Sequence, residues 1–227
     1  MRSWFSLLSS LPVAIAAAAP GVPPRIELHY ELMRNGTAMA EVVERLEQGN
    51  GAYHLTETWK GQGMYRLLGR ATRVSKGELA QLGPRPREFT DERSGRDTQR
   101  VTFDWSANTI TRRYKGETRT EPVAANTQDR LSFLFALAYL APKGEPVSFP
   151  IADARGTSHH TYKPNGRERL ATPAGHFETL KVIRRKEGTG DVSEIWLAAE
   201  LGYLPVRIVL VEDGGTRYEH MVTRVSR

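Results

Sequence analysis

The 227-residue chain has no cysteine, which excludes disulfides, thiolate metal sites and thiol catalysis. It carries 32 Lys and Arg against 26 Asp and Glu, a formal charge of +6. The cations are interleaved with acids, so they read as the solvated faces of strands and not as a nucleic-acid surface. At 39% hydrophobic residues a chain of this length still buries a core, and one domain is expected over residues 25–227.

Residues 1–18 read as a signal peptide. Arg2 supplies the positive start, an apolar stretch runs over 4–18, and small residues fill 16–19. Cleavage is expected after Ala18, with Ala16 at the −3 place. Ser6, Ser9, Ser10 and Pro12 interrupt the stretch, which is too short to serve as a retained span. A periplasmic chain with no membrane span after cleavage is the expectation.

Past a Pro/Gly linker at 20–24, residues 25–33 alternate cleanly. Ile26, Leu28, Tyr30 and Leu32 share one face, and Glu27, His29 and Glu31 the other, the pattern of a half-buried strand. Asn35-Gly36 predicts a tight hairpin turn. Strands are expected at 37–47 and 52–60, joined at Gly49-Asn50-Gly51, and a fourth reaches Val74. The run 82–86 holds Pro84 and Pro86 and is expected to be a rigid loop outside any central ladder. Further strands are expected at 89–93, 98–105, 109–115 and 118–123. After residue 140 they are expected at 146–152, 158–163, 167–172, 177–186, 194–198, 204–212 and 216–225. The pair 158–163 and 167–172 is expected to turn at Pro164-Asn165-Gly166.

The segment 126–140 breaks this pattern. Leu131, Leu134, Phe135 and Ala138 recur at helical spacing, and Phe133, Leu137 and Leu140 cover much of the remaining circumference. A helix over about 127–140, apolar nearly all round, has to be buried. Asn126 or Thr127 is expected to cap it, and Pro142 with Gly144 to end it. Asp129 suits the positive end of the helix, and Arg130 is expected to reach a carboxylate on a neighbouring strand. The fold class is therefore mainly β: an antiparallel curved sheet or open β-barrel wrapped around one central α-helix.

No established chemistry stands out. The six histidines, at 29, 54, 159, 160, 176 and 220, are dispersed. His159 and His160 are adjacent and point to opposite faces of a strand, so no metal site is expected. A Gly-x-Ser-x-Gly elbow, a P-loop and a dinucleotide glycine pattern are all missing, and no cofactor or catalytic residue is assigned. Ser132, among apolar neighbours, suits packing. The carboxylates Glu27, Glu31, Glu41, Glu44 and Glu57 are read as mostly facing solvent, as are His29, His54 and His220.

Three segments in order carry a resemblance. They are Gln128-Asp129-Arg130-Leu131-Ser132, the run 172–181 around Pro173-Ala174-Gly175-His176-Phe177, and Trp196-Leu197-Ala198 leading to Tyr203-Leu204-Pro205-Val206-Arg207. With Leu82-Gly83-Pro84 and Val101-Thr102-Phe103-Asp104 upstream, the chain resembles the exported bacterial proteins grouped as domain of unknown function 3108. The resemblance spans roughly 26–225. It implies an envelope protein of Gram-negative bacteria, and it carries over no catalytic residue.

The sequence thus favours a non-enzymatic binding or scaffold domain holding a lipid-like or apolar ligand between sheet and helix. The expected lining is Tyr30, Trp59, Phe103, Leu131, Leu134, Phe135, Leu137, Ala138 and Trp196. Two alternatives stand beside it. One is an envelope hydrolase acting on cell-wall or glycan material, which needs converging carboxylates. The other is a structural partner of another envelope protein.

Overall fold

The computed structural model describes residues 22–227; the expected signal peptide at 1–18 lies outside them. The first half is an antiparallel meander of eight strands: β1 (Arg25–Arg34), β2 (Thr37–Gly49), β3 (Ala52–Gly61), β4 (Arg70–Ala80), β5 (Gly83–Arg93), β6 (Gln99–Asp104), β7 (Thr109–Tyr114) and β8 (Glu117–Pro122). A two-residue strand, β9 (Gln128–Asp129), precedes α1 (Ser132–Leu140). Then follow β10 (Val147–Asp153), β11 (Gly156–Thr172), β12 (Gly175–Arg185), β13 (Val192–Ala198), β14 (Leu204–Val211) and β15 (Arg217–Ser226).

All fifteen strands form one sheet, in the spatial order β8-β7-β6-β5-β4-β3-β2-β1-β15-β14-β13-β12-β11-β10-β9. Every pairing is antiparallel except that of β9 with β10. The first and last strands, β1 and β15, meet in the middle, with Tyr30 opposite Val222 and Leu32 opposite His220. The far ends approach each other as well. Both β9 and β5, and β10 and β6, are in contact, and Arg112 on β7 donates through Nε to the Asp153 carbonyl at 2.8 Å. No ladder joins these ends, so the sheet is open and curved and the barrel alternative is not realised. At one free edge β8 is exposed along its whole length.

Alternation accounts for most of this. Ile26, Leu28, Tyr30 and Leu32 are buried on one face of β1, as their period of two requires. Three local expectations fail for identifiable reasons. Pro84 and Pro86 lie within β5, paired opposite Leu79 and Gly77. They are tolerated because β6 pairs with β5 only from Glu88 onward, so this end of β5 has one partner and the missing N–H groups cost no ladder bond. The segment around Pro164-Asn165-Gly166 does not turn back. β11 runs straight through it, pairing first with β10 and then with β12, and a register shift between Pro164 and Arg167 absorbs the irregularity. Of the two central residues, only Gly166 has positive φ, whereas a two-residue Asn-Gly hairpin of the usual kind needs both.

The helix is shorter than expected, starting at Ser132 and not near 127. Gln128 and Asp129 are drawn into β9 opposite Ile151 and Ala152, and Asp129 takes over the capping expected of Asn126 or Thr127. Its Oδ1 accepts the Leu131 and Ser132 amides at 2.8 Å each, while its own amide donates to Ser132 Oγ at 2.9 Å. These bonds satisfy amides that the first turn leaves free. Arg130 reaches Asp153 on β10 at 2.9 Å, the strand carboxylate that its position called for.

α1 packs against β5, β14, β9 and β10, and its sides enter different parts of the core. Leu131, Phe135 and Ala138 join the larger apolar cluster with β1–β6. Leu134, Leu137 and Ala141 join a second cluster with Phe149, Tyr162, Leu180, Val182, Ile195 and Leu197.

Candidate functional site

The nine residues expected to line a ligand space lie in several places. Leu131, Phe135 and Ala138 pack toward Tyr53, whose ring meets Phe135 edge-on at 5.8 Å. Leu134 and Leu137 face the second cluster, and Leu137 has no exposed surface. Trp196 on β13 borders the same cluster as Leu131, Phe135 and Ala138, but it lies between Lys181 and Arg207, each 4.5 Å from its ring, and its indole N–H donates to Glu168. Phe103 stacks on Trp105 at 5.5 Å. Tyr30 and Trp59 belong to a polar region that the sequence reading missed.

That region comes from strand register. Across the buried face, Leu28, Glu44, Glu57, Arg73, Asp91 and Gln99 stand directly opposite one another on β1 to β6. Glu44 and Glu57 are each 7% exposed, a correction to the reading that placed them outward. Arg73 donates to Glu57 at 2.8 Å and contacts Asp91 at 3.4 Å, and Arg93 binds Asp91 with two hydrogen bonds of 2.9 and 2.7 Å. The Arg73 guanidinium lies 4.9 Å from the Trp59 ring, and His220 meets Trp59 edge-on at 5.5 Å and Tyr30 at 6.3 Å. His220 is therefore packed inward, and not on an exposed face as expected.

Electrostatics in this row follow from counting charges. Three carboxylates face two arginines, and both arginines are committed to Glu57 and Asp91. Burial, reinforced by the Glu57 charge, pushes the Glu44 carboxyl up to about 8, so at neutral pH it is mostly protonated. Burial also works against the Asp91 carboxylate, but the Arg93 and Arg73 hydrogen bonds and charges outweigh it and hold Asp91 below its ordinary value. His220 is lowered to about 4, first by burial and then by the Arg73 charge, and stays neutral.

A second buried polar chain anchors the helix. Tyr53 Oη and Ser75 Oγ are 3.0 Å apart, and Ser75 donates to Asp129 Oδ2 at 2.6 Å. Asp129, Ser75 and Ser132 have no exposed surface. Burial raises the Asp129 carboxyl to about 6 against the opposing hydrogen bonds from Ser132, Ser75 and Leu131.

Space for a ligand opens at the other end of α1. A cleft of about 420 Å³ lies between the β4–β5 turn, the β6–β7 turn, residues 125–128 and β10. Trp105, Leu140, Phe149 and Leu82 supply apolar wall; Arg85, Asn126 and Gln128 supply polar groups. The Arg85 guanidinium sits 4.8 Å from the Trp105 ring, and Trp105 Nε1 donates to the Pro86 carbonyl at 2.7 Å. Gln128 Nε2 is held by the carbonyls of Pro84 and Asn126, at 3.0 and 3.4 Å. Its Oε1 is buried without a hydrogen-bond partner, an orphan acceptor that costs free energy until a donor arrives. A larger groove of about 520 Å³ beside Pro24, Arg25 and Gln48 is a shallow surface feature where the chain enters β1. Among the described residues no three His, Asp or Glu side chains converge as a metal site.

A family model described as "Protein of unknown function (DUF3108)" matches residues 25–222. The chain belongs to this family. The DUF3108 match runs from the first residue of β1 into β15, so it takes in the meander, α1 and both buried polar groups. No curated protein matches the sequence. Among solved structures, one described as a candidate lipoprotein of Parabacteroides distasonis is similar over 90% of this chain and 97% of its own, at 10% identity and a TM-score of 0.41. Another, described as a candidate exported protein with a YmcC-like fold from Bacteroides fragilis, covers 89% of this chain and 95% of its own, at 11% identity and a TM-score of 0.42. Likeness at that level carries no conclusion about ligand or site. No helix among the described residues is long and apolar enough to cross a membrane.

Proposed function

We propose that the chain is a non-enzymatic periplasmic binding protein of the cell envelope, holding a lipid-like or otherwise apolar ligand at the end of α1. The observation that carries this reading is the cleft of about 420 Å³, within the size of small-molecule sites. It joins an apolar wall of Trp105, Leu140 and Phe149 to a cationic Arg85 and the unpaired Gln128 Oε1. An apolar tail against that wall, with a head group carrying both an anionic oxygen and a donor, would meet all three needs. α1 takes part through Leu140. A ligand reaching further, to Leu131, Leu134, Phe135, Leu137 and Ala138, would have to part the helix from β5 and β14. Export is supported by the pattern at 1–18.

The hydrolase alternative finds its best carboxylate pair in Glu44 and Glu57. They are given less weight because both are buried in a packed row and neither opening described above reaches them.

Protein purified from a Gram-negative host should show a co-purifying mass in native mass spectrometry. Titration with a fatty acid or lysophospholipid should change Trp105 emission, and Ser148→Trp, which fills the cleft, should abolish both signals. Ligand-free protein whose fluorescence does not respond to these amphiphiles sinks the reading. Cell fractionation tests the compartment, with recovery in the periplasmic fraction expected.

A further inference from the structure

Between β3 and β4 the chain makes a short 3-10 turn, Gly63–Leu68, with the sequence Gly-Met-Tyr-Arg-Leu-Leu. In this geometry residues i and i+3 lie one above the other, so Met64 and Leu67 share a side. They are 77% and 97% exposed, the most exposed large apolar side chains among the described residues. Tyr65 between them is half-buried and hydrogen-bonds Arg34 on β1.

The turn is held in place. Gln62 donates its amide to the Met39 carbonyl at 2.9 Å, and the Gly69 amide closes the turn on Arg66 at 3.2 Å. A side chain at Gly61 would begin 2.1 Å from the Tyr65 carbonyl oxygen, so only glycine allows this close approach. Met64 and Leu67 are thus displayed on a fixed knuckle.

Exposed apolar residues alone mean little. The charge around these two gives them a partner. Arg66 lies in the turn, Lys60 and Arg70 flank it on paired strands, and Arg34 holds Tyr65. Arg96 projects from the β5–β6 turn, whose Ser94 bonds the Arg70 backbone. Acids at this end are Glu41, opposite Lys60, and Glu31 beside it in the same row, with Glu92 and Asp97. None of them stands within ion-pair distance of these five cations, whereas Arg73, Arg93 and Arg217 close by are all paired. Two apolar side chains are too few for a stable protein interface. An apolar tip in a collar of unpaired cations fits the headgroup layer of a bilayer carrying anionic lipid.

We propose that the Gly63–Leu68 knuckle docks the protein on anionic phospholipid membranes. Met64 and Leu67 enter the headgroup layer, and Lys60, Arg66 and Arg70 contact the phosphates. This is independent of the ligand reading, because the knuckle and the cleft share no residue.

The test is flotation of the purified protein with vesicles of phosphatidylglycerol and phosphatidylethanolamine, against vesicles of phosphatidylcholine alone. Binding to the anionic vesicles is expected, weakening as salt rises. The double variant Met64→Ser with Leu67→Ser should bind at least ~10-fold more weakly, and Arg66→Glu with Arg70→Glu should abolish the preference for anionic lipid. In Met64→Trp, the added indole should shift its emission to the blue with anionic vesicles. This variant reads the knuckle directly even if a multiple variant folds poorly. Absence of vesicle binding, equal binding to both compositions, or an indole emission in Met64→Trp that does not respond would each overturn the proposal.

Discussion

The buried face of the N-terminal meander and the second core cluster are built on opposite principles. Across β2 to β5 the interior carries Glu44, Glu57, Arg73 and Asp91 in one row. Around α1, β12 and β13 it is formed by Leu134, Leu137, Leu180, Val182, Ile195 and Leu197. The apolar cluster gains from burial and tolerates exchange of one hydrocarbon for another. A polar row gains little from burial and depends on each charge keeping its partner. The second cluster should therefore respond to volume alone, and the meander, where the polar row is set within the larger apolar cluster, to charge and pH as well.

The sharpest way to break this contrast is Arg73→Leu. It leaves Glu57 without its 2.8 Å partner and Asp91 with Arg93 alone, and should cost about 3–5 kcal/mol. Chemical denaturation of purified protein checks it, and a loss below ~1 kcal/mol would mean that the row relaxes by admitting water. In the apolar half, Leu137→Ala removes a side chain with no exposed surface and should cost about 3 kcal/mol. That loss should be the same at pH 5 and pH 8, and a marked pH dependence would count against the division.

Glu44→Gln sharpens the comparison from the other direction. The Glu44 carboxyl is raised from 4.5 to about 8 in the folded chain, so between those values the folded form holds a proton that the unfolded form releases. Stability from this group is present below pH 4.5 and is lost as pH rises to about 8. Glutamine keeps the shape without the proton, so the variant should gain up to about 4 kcal/mol over the natural chain at pH 8 and almost nothing at pH 4.5. A parallel shift at both pH values would show that Glu44 does not titrate as described. His220 works in the opposite sense: held neutral with its value lowered to about 4, it loses stability as pH falls from 6.5 toward 4. The smallest effect is expected for Asp129→Ala, about 1–2 kcal/mol from unsatisfied Leu131 and Ser132 amides. Hydrogen exchange should then quicken in the first turn of α1 before it does in β13. Simultaneous loosening of both would place the cap at the centre of the whole core.

Much of this contrast was written in the strands. Alternation placed β1, β2 and β3 because each has a regular apolar face. The same periodicity put Glu44 between Val42 and Leu46, and Glu57 between Leu55 and Trp59, on the inward side. Both glutamates follow their place in the alternation and not the solvent preference of their residue type. His220 shares its parity with the fully buried Val222 and was legible by the same rule. The path of β11 was not, because Pro164-Asn165-Gly166 is equally good turn chemistry whether the chain reverses or bends, and the partners β10 and β12 decide. Nor was the cleft, since its walls come from five stretches between residues 80 and 149 whose meeting depends on the curl of the whole sheet. The early end of β9 belongs with these, because a two-residue parallel pairing with β10 overrode a helical pattern that reads back to residue 127.

The free edge at β8 has a consequence for life in a crowded compartment. A sheet that never closes offers its terminal strand as a template for any extended chain that drifts past, and fibres begin that way. β8 is a poor template: Glu117, Arg119 and Glu121 alternate along it, Pro122 ends it, and no large apolar residue lies within it. An incoming strand would gain backbone bonds but no greasy face to hold it, and would need to match that order of charges. At the opposite end the terminal strand, β9, is only Gln128 and Asp129, and it covers β10 at Ile151 and Ala152. The openness of this fold is thus compatible with staying single at its β8 end, where charge and a closing proline discourage recruitment.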